Sequence, residues 1–115
     1  MIVRSWSGRA TAANAESYIT HFRRKVLPDL QRIAGHRGAM LLRKSVADEV
    51  EVLVLTFWES MASIHEFAGK DASVAVVEPE AKAVLLAFDA HVKHFELVLD
   101  SWPGQAAGPV LSGRT

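Results

Sequence analysis

Two histidines are the side chains in this sequence best suited to proton transfer. His94 lies between apolar positions of a predicted strand, and His65 lies on a short predicted helix. Imidazole can accept a phenolic proton near neutral pH. The alternatives are a neighbouring carboxylate that satisfies His94 and a solvated surface position for His65. His91 and His94 are three residues apart in a strand and face opposite ways, so we expect no metal site.

Two tryptophans, Trp6 and Trp58, lie on predicted strands that neighbour each other in the expected sheet. An indole provides a flat apolar wall and one N–H donor, which suits an aromatic substrate. The alternative is packing in the core or in an interface. The sequence therefore predicts that both rings face one cavity, and leaves open that either one only packs.

Two arginines, Arg4 and Arg43, lie on strands that otherwise look buried. A buried guanidinium needs a carboxylate or an anionic ligand. Each arginine is therefore expected to form a structural ion pair or to hold a substrate phenolate. The expected carboxylate partners are Glu51, Glu96 and Asp71.

The composition describes one compact domain. Half of the 115 residues are hydrophobic, and 13 basic side chains balance 13 acidic ones. A net charge of zero argues against nucleic acid as a partner. The absence of cysteine excludes disulfides, thiolate metal ligands and a cysteine nucleophile. No leader or membrane-length apolar stretch is evident, and no Gly-rich loop indicates a nucleotide or flavin, so a cytoplasmic protein without cofactor or membrane contact is expected.

Charge is distributed unevenly along the chain. Residues 1–47 carry nine basic and two acidic side chains, a net charge of +7, so residues 48–115 carry −7. Complementary layers within one domain would explain this division. A self-complementary dimer would explain it equally well.

The hydrophobic pattern predicts the order βαββαβ. This order predicts an α+β, ferredoxin-like fold, with helices on one face of a four-stranded antiparallel sheet. Residues 1–100 form this domain, and the Gly- and Pro-rich tail 101–115 is expected to pack on it or on a partner through Trp102. The predicted strands are 2–9, 39–45, 50–58 and 92–99, and the predicted helices are 15–33 with a kink at Pro28, 61–68 capped by Ser60, 71–78 capped by Asp71, and 79–88.

The second and third predicted strands are apolar on both faces, in residues 40–42 and 52–55. Helices of one chain can cover only one face of the sheet. The other face must pack on something else, and a second copy of the chain is the simplest partner. We therefore expect a homodimer in which two sheets pack face to face.

Five stretches of the sequence resemble the antibiotic biosynthesis monooxygenase superfamily. They are IVRSWSG (2–8), GHRGA (35–39), TFWES (56–60), IHEFAGKD (64–71) and VKHFE (92–96). The resemblance covers residues 1–100 and implies a dimeric α+β barrel with a pocket between sheet and helices. It also implies oxygen chemistry on small aromatic molecules.

The haem-degrading branch of that superfamily has an Asn on the first strand, a Trp on the helix after the third strand and a His about one turn into the next helix. This sequence has Trp6 or Ser7, Phe67 and Val77 at those positions. Haem degradation is therefore a minor alternative. The resemblance favours the cofactor-independent members, in which the aromatic substrate itself activates oxygen.

The resulting prediction is a cofactor-independent monooxygenase that oxidises a quinol, anthrone or catechol with molecular oxygen. The expected catalytic residues are His94 as base, Arg43 as anion holder and Trp58. The expected substrate-binding residues are Trp6, Arg4, His65 and Phe67. A non-catalytic dimer that binds a small apolar ligand is the alternative.

Overall fold

The computed structural model describes residues 1–103. Its strands are β1 (Ile2–Thr11), β2 (His36–Val46), β3 (Glu49–Trp58), β4 (Ala87–Phe88) and β5 (Lys93–Glu96). Its α-helices are α1 (Ala12–His21), α2 (Leu27–Gln31), α3 (Met61–Ala68) and α4 (Pro79–Val84). Ser60 caps α3 as predicted, since its side chain accepts the backbone N–H of Ser63, and Thr11 caps α1 in the same way through the N–H of Asn14.

The strands form one antiparallel sheet in the order β2-β3-β1, and β4 and β5 both pair with the far edge of β1. The ferredoxin-like α+β fold predicted from the sequence is thus confirmed. The single closing strand predicted for residues 92–99 is shorter in the structure, and a second short strand precedes it. β4 pairs with Gly8 and Arg9, whereas β5 pairs with residues 2–5, so two short strands together complete the edge.

The hydrophobic core lies between the sheet and the helices. Alternate residues of β3 face it, as the two-residue period of a strand requires. The largest fully buried side chains are Trp58, Leu30, Ile64 and Val52. Because α1 and α2 cover this same face, it is also where a site between sheet and helices can form.

The first helical region is divided by a π-helical turn, Phe22–Val26, between α1 and α2. Leu27 donates its N–H to the carbonyl of Phe22, five residues earlier. Pro28 has no N–H to donate and lies at the start of α2. The predicted kink is therefore a change of helical pitch that begins before the proline.

The helix predicted for residues 71–78 is wrong. Asp71 caps no helix, and instead accepts hydrogen bonds from the N–H and hydroxyl of Ser73 in a local turn. The segment then runs extended and contains three β-branched valines, which favour extended backbone. We call residues 70–78 the crossing segment. The helix predicted to reach Phe88 ends at Val84, because Leu85 turns into an extended conformation.

The face of the sheet opposite the helices carries exposed apolar side chains. Leu42 is 46% exposed and lies opposite Leu53, which is 38% exposed. Phe95 is 54% exposed and lies beside Val3. Phe57, on the same face at the end of β3, is buried, so the exposed apolar surface lies around Leu42, Leu53 and Phe95.

Several ion pairs join the basic first part of the chain to the acidic remainder. They include Arg9 with Glu49, Lys25 with Glu78 and Arg37 with Glu59. The uneven charge distribution is therefore satisfied at least partly within one chain. Trp102 is 39% exposed, and residues 104–115 of the predicted tail lie outside the described part of the chain. Within residues 1–103, no helix has both the length and the apolar character needed to cross a bilayer.

Candidate functional site

A small, open-mouthed cavity with about 60 Å³ of free space lies between the helix-covered face of the sheet and the first helical region. The crossing segment closes one side of it with Val76, Val77 and Glu78. This free space is below the roughly 300–1,000 Å³ of a typical small-molecule site, so a bound aromatic ring requires the lining side chains to move apart. Aromatic rings line much of the cavity: Trp6, Tyr18, Phe22 and Phe67.

Trp6 forms a fixed wall of the cavity. Its ring centroid lies 5.8 Å from that of Tyr18 and 6.3 Å from that of Phe88. Its indole N–H donates to the carbonyl of Asp89 over 2.9 Å. The ring can therefore offer a ligand an apolar surface, while its one hydrogen-bond donor is already used.

Arg4 is the charged residue of the sheet that lines the cavity, and it is 5% exposed. Its guanidinium donates to the carbonyls of Ala72 and Val74 in the crossing segment. Among residues 1–103 no carboxylate lies within 4.0 Å of it, so the ion pair predicted with Glu51, Glu96 or Asp71 is absent from the described chain. Burial lowers the pKa of Arg4, but a guanidinium in a protein stays charged.

The third partner of Arg4 is His94, opposite it on β5. Nε2 of His94 lies 2.9 Å from Nη1 of Arg4. Because a guanidinium has only donors, Nε2 must accept this bond, which leaves the ring neutral with its proton on Nδ1. Burial first, and then the charge of Arg4, lower the pKa of His94. His94 thus orients Arg4 from outside the cavity lining, and its Nε2 lone pair is occupied.

Three further predicted site residues lie away from the cavity. Arg43 is exposed on the edge strand β2 and pairs with Glu16 of α1, not with a predicted partner. His65 is exposed and its Nδ1 bonds to the carbonyl of Gly69 over 2.8 Å. Trp58 is fully buried behind the cavity. The sequence predicted that Trp6, Trp58, Arg43 and His94 would line one cavity. Of these four residues only Trp6 lines it, together with Arg4 and Phe67.

Trp58 is held in the core by one hydrogen bond and two ring contacts. Its indole N–H donates to the hydroxyl of Thr56 over 2.8 Å. Its ring centroid lies 5.2 Å from that of His36, edge to face, and 5.8 Å from that of Phe67. It therefore supports Phe67, which does line the cavity, and has no open surface of its own.

Sequence reasoning missed four polar residues that line the cavity: Tyr18, His21, Thr56 and Glu78. His21 follows Tyr18 by three residues, so it lies on the same apolar stripe of α1, and this spacing was the available signal. Glu78 comes from the crossing segment and carried no local signal. Burial raises the pKa of Tyr18, so its hydroxyl is neutral at ordinary pH.

The residues counted against haem, Phe67 and Val77, both line the cavity. Among the described residues, no three His, Asp or Glu side chains converge as metal ligands would.

Comparison with known proteins gives no match to any protein-family model or to any curated protein sequence. Solved structures do match. A Bacillus cereus protein assigned as an antibiotic biosynthesis monooxygenase superposes with a TM-score of 0.63 at 13% identity, over 90% of this chain and 97% of that one.

Two further matches have different chemistry. SnoaB of Streptomyces nogalater, a cofactor-independent oxygenase, matches 86% of this chain and 95% of its own with a TM-score of 0.55 and 13% identity. MhuD of Mycobacterium tuberculosis, a haem degrader with two haems in its active site, matches 87% of this chain and 99% of its own with a TM-score of 0.56 and 23% identity. These identities establish the fold alone, and in its fold this chain is similar to the antibiotic biosynthesis monooxygenases, as its sequence stretches indicated.

Proposed function

We propose that this protein is a cofactor-independent monooxygenase that binds a small electron-rich aromatic molecule in the cavity as its phenolate. The observation that carries the proposal is an aromatic-walled cavity containing a buried guanidinium, Arg4, with no carboxylate partner in the described chain. An apolar, flat-walled site selects an aromatic ring. A buried cation selects a negative charge on it.

Arg4 retains the capacity to bind such an anion. A guanidinium has five N–H donors, and the bonds to Ala72, Val74 and His94 use three of them. One N–H on Nη2 and the N–H on Nε remain. Because His94 and the two carbonyls fix the planar group, its orientation is set before a ligand arrives, which lowers the entropic cost of binding.

The proposed reaction needs no electron source besides the substrate. The bound phenolate of an anthrone or hydroquinone is electron-rich enough to pass an electron to dioxygen. For an anthrone the two radicals combine at the ring CH₂ carbon, and the hydroperoxide formed there loses water to leave a carbonyl. One oxygen atom enters the product and the other leaves as water, which takes one hydrogen from the O–H of the phenol (enol) form and one from the C–H of the same ring carbon. The protein's part is to hold the anion and exclude bulk water.

Among the solved structures of similar fold, the cofactor-independent oxygenase SnoaB supports this proposal. The haem degrader MhuD supports a different one. Phe67 and Val77, which line the cavity, supply no iron ligand at the positions where the haem branch of the family has its Trp and His. The phenolate proposal is therefore preferred.

Metal-stripped protein is expected to consume oxygen with at least one member of a panel of anthrones, hydroquinones and catechols, measured with an oxygen electrode. Trp6→Leu should weaken binding of that substrate about tenfold, since an aromatic contact contributes on the order of 1 kcal/mol beyond its buried area. Trp102→Leu, outside the cavity, is the matched control.

Oxygen consumption no faster than in buffer across the whole panel would contradict the oxygenase proposal. Saturable binding of a panel member without turnover would identify a non-catalytic ligand-binding protein instead. Equal losses in Trp6→Leu and Trp102→Leu would count against this cavity as the binding site.

We further propose that two copies pack through the open face of the sheet. Leu42, Leu53 and Phe95 leave an apolar surface there, which a soluble monomer seldom presents. Light scattering after size exclusion is expected to give about twice the 12.6 kDa chain mass. Leu53→Lys should give the monomer mass, because it would bury an unpaired charge in the interface.

Leu86→Lys is the control for the dimer experiment, because Leu86 is an exposed leucine outside the open face. It should remain dimeric. A wild-type protein that elutes as a monomer at micromolar concentration would refute the interface.

A further inference from the structure

We propose that His21 and Glu78 form the proton-accepting pair of the cavity and remove the phenolic proton of the bound aromatic molecule. This inference rests on the proposed function, since it names the group that generates the anion bound by Arg4. Neither residue was a candidate in the sequence. The crossing segment brings them together across the wall of one cavity.

The two side chains meet end to end. His21 is the last residue of α1, and Glu78 immediately precedes α4. Nε2 of His21 lies 3.1 Å from Oε1 of Glu78, which is within ion-pair distance. Both atoms are shielded from solvent, and neither makes a well-directed hydrogen bond within residues 1–103. Buried polar atoms are rarely left without a partner, and at this distance Nε2 and Oε1 can serve each other.

The carboxylate determines which nitrogen of His21 can act as the base. A neutral imidazole beside a carboxylate places its N–H toward the oxygen, because two lone pairs facing each other would repel. Nε2 therefore carries the proton, and Nδ1 is the accepting nitrogen.

The neighbouring charged and titratable groups agree with this assignment. Lys25 lies on the outer side, with Nζ 3.8 Å from Oε2 of Glu78 and 3.0 Å from Oδ2 of Asp29. Lys25 therefore contacts Oε2 of Glu78 and leaves Oε1 of Glu78 directed to His21. Tyr18, whose ring centroid lies 6.4 Å from that of His21, is kept neutral by burial and does not compete as a base.

The cavity thus separates the two products of ionisation. The phenolic O–H bond breaks, its electron pair stays on the oxygen beside Arg4 of the sheet, and the proton moves to Nδ1 of His21 on the helix side. After oxygen is reduced, the same proton can return to the oxygen atom that leaves as water. No external acid, base or reductant enters this balance.

A nitrophenol tests the pair without knowledge of the natural substrate, because its phenolate absorbs visible light and the neutral phenol does not. 4-Nitrophenol would be titrated below its own pKa, with bound probe measured by equilibrium dialysis and its ionisation by absorbance. Bound to the wild type it should be largely phenolate. His21→Gln should lower the phenolate-to-phenol ratio of bound probe by about tenfold or more, the effect of one pKa unit.

Two near-isosteric controls accompany the test. His91→Gln removes an exposed histidine. Glu80→Gln removes an exposed carboxylate in α4, the helix that Glu78 immediately precedes. Both should leave the ratio unchanged. Glu78→Gln should lower it in the same direction as His21→Gln, and it supplies the test if the His21 variant does not fold.

The outcomes separate the two proposals. Absence of saturable probe binding to the wild type would refute the aromatic-anion site itself, and this inference with it. Normal binding with the same phenolate fraction in the wild type, His21→Gln and Glu78→Gln would refute the proton-accepting pair and leave the site intact. With a substrate that turns over, the pair predicts a kcat loss of about 100- to 10,000-fold in His21→Gln at unchanged KM.

Discussion

Trp58→Ala is expected to destabilise the fold by about 3–5 kcal/mol, the usual cost of truncating a large aromatic side chain in a core. The ring is fully buried and packs on His36 and Phe67. Its removal leaves a cavity and takes the donor from the hydroxyl of Thr56, which is itself buried. Because a small domain has only about 5–15 kcal/mol of stability in total, a large part of it would be lost.

Urea denaturation followed by circular dichroism measures this effect directly. Trp102→Ala is the control, since an exposed side chain should change stability by no more than about 0.5 kcal/mol. Trp58→Phe should fall between the two and retain ligand affinity. A Trp58 variant that keeps its stability but loses the ligand would restore Trp58 to the site, where the sequence placed it among the expected catalytic residues.

The fold could be predicted because its information is local and periodic. The continuous apolar run of β3 and the N-cap Ser60 of α3 each fix a backbone element without reference to distant residues. The elements predicted wrongly, the helix 71–78 and the single strand 92–99, both lie in the last third of the described chain. There the backbone is fixed by long-range bonds, such as those from Ala75 to Ala90 and from Val92 to Ser73, that no local pattern encodes.

Apart from Phe67 on α3, the candidate site was predictable where strand parity decides it. Arg4 and Trp6 are two residues apart on β1, so both must face the helices, and both line the cavity. Arg43 satisfies a similar parity on β2 but lies at the edge of the sheet, where Glu16 of α1 reaches it. The alternation of side chains along a strand determines the face of the sheet on which a residue lies. The surroundings of that residue across the sheet depend on which helix covers each strand.

His94 illustrates a second limit of the sequence. Its residue type suggested a base, but the register of β5 against β1 places it opposite Arg4. The guanidinium then occupies its lone pair and disfavours its protonation. The same histidine one register step away would have no such partner. The chemistry of an imidazole therefore follows from its neighbour, and the neighbour follows from the pairing of strands 90 residues apart in sequence.

Arg4→Met is expected to weaken binding of an anionic aromatic ligand by about 10- to 100-fold, because a charge-assisted hydrogen bond to a buried anion contributes roughly 1.5–3 kcal/mol. Methionine fills similar space without donors or charge. The pKa of His94 should rise, since the charge of Arg4 is one of the causes that lower it, although burial still acts. Arg4→Lys should keep the charge but lose the three-way anchorage, and so recover only part of the affinity.

Equilibrium dialysis with 4-nitrophenol at a pH where it is ionised gives the affinity, and NMR titration of the His94 ring protons gives the pKa. Arg9→Met, which removes an exposed arginine paired with Glu49, is the matched control and should change neither quantity. If the affinity survives in Arg4→Met and is lost in Arg43→Met, the anion binds at the edge strand as the sequence first suggested. If the affinity falls in Arg4→Met while the pKa of His94 stays fixed, the contact between the guanidinium and Nε2 is not formed in solution, and the preorganisation argued for Arg4 must come from the two carbonyls of the crossing segment alone.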